Sequence, residues 1–237
     1  MSYKKITPSL KVADYPALYF KNLQSLVFDY DIIKKISIII FLFQFSPICS
    51  FSQIQLTNSS FEGKPGPGNI PKGWHTCQAG STPDLLPGAW YVNKTAKDGD
   101  TYLGLISRKD GTYEAVGQLL PAPIKAKVCY SFSIYLSRSL SYAGYDWPLS
   151  LRIWGGNKIC SRDVLLAETP AIEHNDWRRY DLEFFSPTNL SYLTIEGYFA
   201  PGLYFHYNGN ILLDQASPII PCKRAFHSEK TQNQIIF

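Results

Sequence analysis

A regular alternation of apolar and polar residues at 149–154 is the feature that most constrains the fold of this 237-residue chain. The stretch reads Leu149, Ser150, Leu151, Arg152, Ile153, Trp154. Because successive side chains of a β-strand point to opposite sides, the pattern predicts a strand with one buried and one available face. A Gly-Gly pair and Cys160 follow, which predict a turn and a covalent crosslink directly behind this strand.

The same period of two recurs through residues 53–222, and helical spacing does not compete with it. The longest run is 128–138, where Tyr130, Phe132, Ile134 and Leu136 alternate with smaller or polar residues. Shorter runs of β-forming residues start at Ile54 and also occupy 89–92, 98–106, 113–119, 164–167, 177–185, 192–199 and 211–216. Strands with turn residues between them at this spacing predict an all-β fold, a two-sheet antiparallel β-sandwich.

The first 52 residues have a different composition. Lys34 and Lys35 precede an apolar segment at 36–43, and small residues flank a cleavage position after Ser52. This pattern predicts a secretory signal peptide, and the apolar segment is shorter than the roughly 20 residues of a membrane-spanning helix. Residues 1–33 then represent either sequence upstream of the true start or an unusually long basic region.

The predicted mature chain begins at Gln53, forms one β-sandwich domain at 53–222 and ends in a polar, disordered tail at 223–237. We expect it to be secreted or to lie in the cell envelope, either in the periplasm or at the outer-membrane surface. The domain contains 14 Lys and Arg and 15 Asp and Glu, which gives a net charge of −1. Nucleic-acid binding requires clustered basic side chains, so this class of function is excluded.

Four cysteines remain after removal of the predicted signal peptide, and an even number in an exported chain predicts disulfides. If the strand that ends near Arg138 pairs antiparallel with the strand that begins near Leu149, Cys129 lies opposite residue 158 or so. This pairing favours a Cys129–Cys160 disulfide, which leaves Cys77 to pair with Cys222. A zinc site is disfavoured because no C-x-x-C pair or histidine cluster is present.

The order of short motifs along the domain resembles that of the galactose-binding-like jelly rolls. The motifs are N-S-S-F-E-G from Asn58, P-K-G-W from Pro71, D-G-D-T-Y-L-G-L from Asp98, E-A-V-G-Q from Glu114, C-Y-S-F-S from Cys129, L-R-I-W-G-G from Leu151, D-W-R-R-Y from Asp176 and N-I-L-L-D-Q-A-S-P from Asn210. The chain is similar to carbohydrate-binding modules of families four, nine and twenty-two. It also resembles an uncharacterised group of secreted bacterial domains that often precede an outer-membrane-protein-A-like domain. The resemblance implies a jelly-roll sandwich, export and a sugar ligand.

The same resemblance implies a structural calcium ion where the first and last strands meet. The matching positions are Glu62, Asp100 and Asp214. Two carboxylates with backbone carbonyls and water could supply the six to eight oxygens that calcium prefers. The alternative is that Glu62 and Asp214 only make hydrogen bonds to loops.

Two surfaces offer the aromatic faces and planar polar groups that a sugar needs. One is the outward sheet face, which carries Tyr135, Arg152, Trp154, Glu196 and Tyr198. The other is a pair of aromatic loops, with Tyr142, Tyr145 and Trp147 in one loop and Tyr204, His206 and Tyr207 in the other. Simple packing of the aromatic residues is the alternative for both surfaces, and a surface salt bridge with Glu196 is the alternative for Arg152.

No nucleophile elbow, zinc-protease helix or reactive-cysteine motif occurs in the chain, and its four histidines are scattered. The sequence therefore predicts no enzymatic activity. It predicts a non-catalytic module that binds carbohydrate, such as a glycan of the cell envelope. The alternative is an envelope domain that contacts a partner protein and has no sugar specificity.

Overall fold

The computed structural model describes residues 53–78 and 80–222. The predicted leader (1–52), with its apolar segment at 36–43, and the predicted tail (223–237) lie outside this range. No helix in the described ranges is long and apolar enough to span a membrane.

The described chain consists of strands and loops. The strands are β1 (His75–Thr76), β2 (Asp84–Leu86), β3 (Tyr102–Ser107), β4 (Ala115–Ile124), β5 (Cys129–Ser137), β6 (Trp147–Gly156), β7 (Val164–Glu168), β8 (Arg178–Phe185), β9 (Leu190–Phe199), β10 (Gly209–Asp214) and β11 (Ile220–Pro221). The predicted runs from 98–106 onward match β3 to β10. The predicted strand at 89–92 is a loop, Ile54 makes only an isolated bridge to Ile219, and β2 lies outside the predicted runs.

Two sheets are stacked in a β-sandwich, as the sequence predicts. The first sheet has the order β2-β3-β10-β5-β8, with β11 beside β5. The second has the order β1-β4-β9-β6-β7. A short parallel contact between β10 and β6, at Gly209 opposite Trp147 and Asn210 opposite Pro148, joins the two sheets at one edge.

The main core lies between the sheets and is built from the apolar positions of the alternating strands. Leu149, Leu151 and Ile153 of β6 are at most 1% exposed and belong to this core, which confirms the period-two prediction for that strand. The facing β10 contributes Ile211 and Leu213, which are fully buried. The polar positions of β6 consequently face outward from the second sheet.

The first sheet is also covered on its outer face, which the alternation does not predict. Tyr102 and Ile106 of β3 and Leu212 of β10 form a second apolar cluster with residues of the loops over the sheet, and Tyr142 is one of them. Gly104 allows this close cover, because a Cβ atom there would lie 2.9 Å from the Tyr142 hydroxyl. The loops over β2 and β3 are therefore packed parts of the fold.

The predicted disulfide pairing is wrong. The disulfides join Cys77 to Cys160 and Cys129 to Cys222, with Cα–Cα distances of 5.0 and 5.3 Å. The error comes from the assumption that β5 and β6 form a hairpin. The chain instead crosses from one sheet to the other between them, so β5 pairs with β8 and β6 pairs with β9.

We expect peptide mapping under non-reducing conditions to recover the Cys77–Cys160 and Cys129–Cys222 crosslinks and no others among these four cysteines. Each crosslink closes a loop of more than 80 residues. Reduction of either one should lower the free energy of unfolding by about 4 kcal/mol, because the unfolded chain regains its freedom. Recovery of a Cys129–Cys160 peptide would contradict the strand order described above.

Candidate functional site

The outer face of the second sheet brings together four of the five residues predicted on the sheet surface. Arg152 lies directly opposite Glu196 on the neighbouring strand, and Ser150 lies opposite Tyr198. Trp154 follows on the same face of β6, half-buried. The fifth residue, Tyr135, is not part of this face. It belongs to β5 of the first sheet, where its ring lies under the Lys97 ammonium group.

Arg152 lies opposite Glu196 of β9 on one side and Glu168 of β7 on the other, and it forms its ion pair with Glu168. Arg152 Nε donates to Glu168 Oε1 at 2.6 Å, and Arg162 Nε donates to Glu196 Oε2 at 2.6 Å. The Glu196 side chain is 1% exposed, so its carboxylate is covered by Arg162 and is not presented to a ligand. The Arg152 guanidinium remains partly exposed and stacks on the Tyr198 ring, 3.6 Å from its centroid.

The two ion pairs should differ strongly in their contribution to stability. Replacing Arg162 by alanine leaves a buried carboxylate without its cation, so we expect R162A to lower the free energy of unfolding by about 3 kcal/mol. R152A disrupts a partly exposed pair and should lower it by less than about 1 kcal/mol. Urea denaturation of both variants tests this, and equal losses would contradict the assignment of Glu196 to Arg162.

One end of the outer face is covered by the loop 157–163. The loop runs close over β6, since a Cβ atom at Gly156 would collide with Ser161. Thr194 donates its hydroxyl proton to the Ser161 carbonyl, and the Cys77–Cys160 disulfide fixes the loop to the segment after β1. The open part of this face is therefore the end that carries Arg152 and Tyr198.

At the open end lies a cleft of about 260 Å³, which we call the aromatic cleft. Its lining comprises Arg152, Tyr198, Phe199, Ala200, Leu203, Tyr204, Phe205 and His206. Tyr204 is fully exposed and Phe205 is 52% exposed. Trp147 extends the cleft, because its ring meets Phe205 edge-on at 5.8 Å. The aromatic cleft thus joins part of the predicted sheet surface to part of the predicted loop surface.

Tyr207 supports the aromatic cleft from below and is not a surface residue. Its side chain is 2% exposed. The hydroxyl accepts a hydrogen bond from the Ala200 amide at 2.6 Å and donates one to the Pro148 carbonyl at 2.9 Å. The expectation that Tyr207 offers a face for stacking is therefore wrong, since its ring packs against Phe199 and Trp147.

The other predicted aromatic loop is divided between two cavities. Trp147 reaches the aromatic cleft, whereas Tyr142 and Tyr145 line a separate cavity of about 510 Å³, which we call the Asp84 pocket. Tyr142 is 1% exposed and donates its hydroxyl proton to the Asp84 carboxylate, so it is a buried anchor and not a stacking platform. The two loops meet at Trp147, and Asn208 of the second loop also donates to the Gly144 carbonyl of the first.

Several residues around the aromatic cleft were not predicted. Tyr113 meets Tyr198 edge-on at 4.9 Å and lies beneath the Arg162 guanidinium. Arg162 comes from a loop and Glu168 from the edge strand β7, and no sequence pattern distinguishes them from other charged residues. Phe205 could have been found from the sequence, because it stands in the aromatic run 203–207.

The predicted calcium ligands do not converge in this arrangement. The Glu62 carboxylate accepts hydrogen bonds from the amides of Asp100 and Thr101, and Asp214 Oδ2 accepts from Lys97 and Asp98. Within the described ranges, the one close group of possible metal ligands is Cys129, Glu183 and Cys222, whose cysteines form a disulfide.

The Glu62 and Asp214 carboxylates thus make the loop hydrogen bonds that the sequence left open as the alternative to calcium binding. Burial raises the pKa of the Asp214 carboxyl to about 6, against the opposing effect of its backbone hydrogen bonds. Calcium binding stays a prediction from the sequence.

Several solved structures superimpose on this chain at low sequence identity. An arabinose-bound α-L-arabinofuranosidase superimposes with a TM-score of 0.50 at 12% identity, over 72% of this chain and 26% of the enzyme chain. The CBM22-1 xylan-binding domain of Xyn10C from Paenibacillus barcinonensis gives 0.46 at 16% identity, over 73% and 96% of the two chains. A family 16 carbohydrate-binding module gives 0.42 at 13% identity, over 69% and 97%.

No protein-family model matches the chain, and neither does any curated protein. The chain spans about a quarter of the arabinofuranosidase that it matches. At these identities the likeness concerns the fold. The described chain is an all-β sandwich, as its alternating strands predict.

Proposed function

We propose that the protein is a non-catalytic carbohydrate-binding module and that the aromatic cleft is its binding site. The observation that carries the proposal is the position of the Arg152 guanidinium, which stacks on Tyr198 beside the exposed rings of Tyr204 and Phe205. Sugar rings bind to aromatic faces through their C–H surfaces, and a planar donor such as guanidinium bridges neighbouring hydroxyls.

Several properties of the cleft suit a glycan. The guanidinium needs no reorganisation on binding, because Glu168 and Tyr198 already hold it in place. The loop that carries Tyr204 and Phe205 is anchored by the buried hydroxyl of Tyr207. A fixed guanidinium and an anchored loop backbone lose little conformational entropy when a ligand binds.

The fold and the two disulfides support export, since disulfides persist in oxidising compartments. We propose that the domain acts outside the cytoplasm, on a glycan of the cell envelope or of the surroundings. Trp154 lies away from the aromatic cleft, on the part of the sheet that loop 157–163 approaches. Its predicted role in binding is therefore secondary to that of Arg152.

Affinity electrophoresis in gels that contain xylan, arabinan, β-glucan or solubilised peptidoglycan tests the proposal. We expect retardation by at least one polysaccharide, and at least tenfold weaker binding for R152A and for F205A. Each variant has a matched control on the first sheet. Arg179 is an ion-paired arginine and Phe185 is 66% exposed, so R179A and F185A should bind within about twofold of the wild type.

Loss of binding in the controls as well as in R152A and F205A would place the ligand elsewhere. Failure of the folded wild-type protein to bind any of these polysaccharides, or a panel of glycans on an array, would overturn the proposal.

A second candidate function rests on the apolar rim of the same cleft. Trp147, Leu203 and Phe205 are between 39% and 52% exposed and lie together, and exposed apolar groups of this kind also mark protein interfaces. An envelope protein as partner would depend on this rim more than on the guanidinium. Crosslinking in the native host should then lose the partner with W147A and F205A and retain it with R152A, whereas loss with R152A alone would contradict this candidate.

A further inference from the structure

The Asp84 pocket lies over the outer face of the first sheet, apart from the aromatic cleft. Its volume is about 510 Å³, within the range of small-molecule sites. The lining comprises Pro67, Gly68, Thr82, Asp84, Trp90, Ile106, Arg108, Tyr142, Ala143 and Tyr145. It combines aromatic faces with buried polar groups, which is the composition of a built ligand site and not of a gap between loops.

The polar base of the pocket carries more negative than positive charge. Arg108 makes an ion pair of 2.7 Å with Glu114, whose side chain is fully buried behind the lining. The Asp84 side chain is 3% exposed and, among residues 53–78 and 80–222, has no cationic partner. It accepts hydrogen bonds from the Gly68 amide and the Tyr142 hydroxyl instead.

These two hydrogen bonds do not exhaust the carboxylate, because each of its oxygens has a second lone pair. A buried carboxylate without a cation is costly unless something else compensates its charge. A positively charged group of a ligand would do so at this position, where the cavity wall is formed by Asp84 itself.

The aromatic wall of the pocket is held in a strained backbone. Trp90 and Tyr91 both have left-handed conformations, with φ of 52° and 64°. Such conformations cost bulky residues about 1–3 kcal/mol each and concentrate at ligand-binding segments. The Trp90 ring is 47% exposed and lines the cavity together with Tyr145. Aromatic faces attract both sugar rings and cations.

We propose that the Asp84 pocket is a second binding site and that it takes an amino sugar with a protonated amine. The ammonium group lies against the Asp84 carboxylate, and the ring stacks on Trp90 and Tyr145. Arg108 and Thr82 donate to the ring hydroxyls. A neutral sugar lacks the compensating charge, and a simple cation lacks the stacking face, so the combination defines the ligand class. The site is independent of the function proposed for the aromatic cleft.

Isothermal titration of the folded protein with glucosamine and with glucose, at about pH 6 where the amine is protonated, tests the proposal. We expect glucosamine to bind at least tenfold more tightly than glucose. Asp84→Asn should abolish this preference, because the amide keeps an acceptor for Gly68 and offers an N–H to the Tyr142 hydroxyl but carries no charge. Trp90→Ala should weaken the binding of both sugars about tenfold.

Arg152→Ala serves as the control and should leave glucosamine binding unchanged, so failure of the aromatic cleft to bind polysaccharide and failure of this pocket are separate results. Equal affinity of the wild-type protein for glucosamine and glucose, or an unchanged preference in Asp84→Asn, would overturn the proposal. If Asp84→Asn does not fold, the glucosamine and glucose affinities of the wild-type protein and of Trp90→Ala still test the proposal. We expect Trp90→Ala to fold, because Trp90 is half-exposed and lies outside the main core.

Discussion

The buried amide of Asn210 is the interaction on which the position of both cavities depends. Asn210 is fully buried in β10, the strand at which the two sheets meet. Its Oδ1 accepts from the Ser139 amide at 2.8 Å, and its Nδ2 donates to the carbonyls of Ser139 and Tyr145. This side chain therefore fixes the loop 139–148 to the junction of the two sheets, and the loop supplies aromatic residues to the surroundings of each cavity.

This arrangement explains how a loop of this fold can line a cavity in one fixed conformation. A loop over a sheet carries backbone groups that must be hydrogen-bonded when water is excluded. Asn210 satisfies those of Ser139, and the hydroxyl of Tyr207 does the same for Pro148 and Ala200 on the other side of the junction. Leaving such groups unpaired costs about 1–3 kcal/mol each, so the loops have a strong preference for one conformation. The backbone that carries their exposed side chains is consequently held in place before any ligand arrives.

The sequence predicted the sandwich and its core because both depend on local alternation. Leu149, Leu151 and Ile153 are buried as expected, because only one face of an alternating strand is apolar and can pack in the core. The disulfide pairing was wrong because it required knowledge of which strands are neighbours, and the crossover between β5 and β6 leaves no local trace. The choice of charged partners also depends on which strands and loops are neighbours. Arg152 lies between Glu196 and Glu168 on its two neighbouring strands and pairs with Glu168, whereas the loop residue Arg162 pairs with Glu196.

The aromatic residues of the loop 139–148 show that composition alone does not predict the role of a side chain. Tyr142, Tyr145 and Trp147 stand within six positions of one another, yet the first is a buried anchor, the second lines the Asp84 pocket and the third borders the aromatic cleft. Their roles follow from the anchoring of the loop at Asn210, which divides it between the two cavities. The cavities differ in charge accordingly. A partly exposed guanidinium borders the aromatic cleft, whereas a carboxylate without a cation among the described residues borders the pocket. One aromatic loop therefore borders two cavities whose polar groups differ in charge.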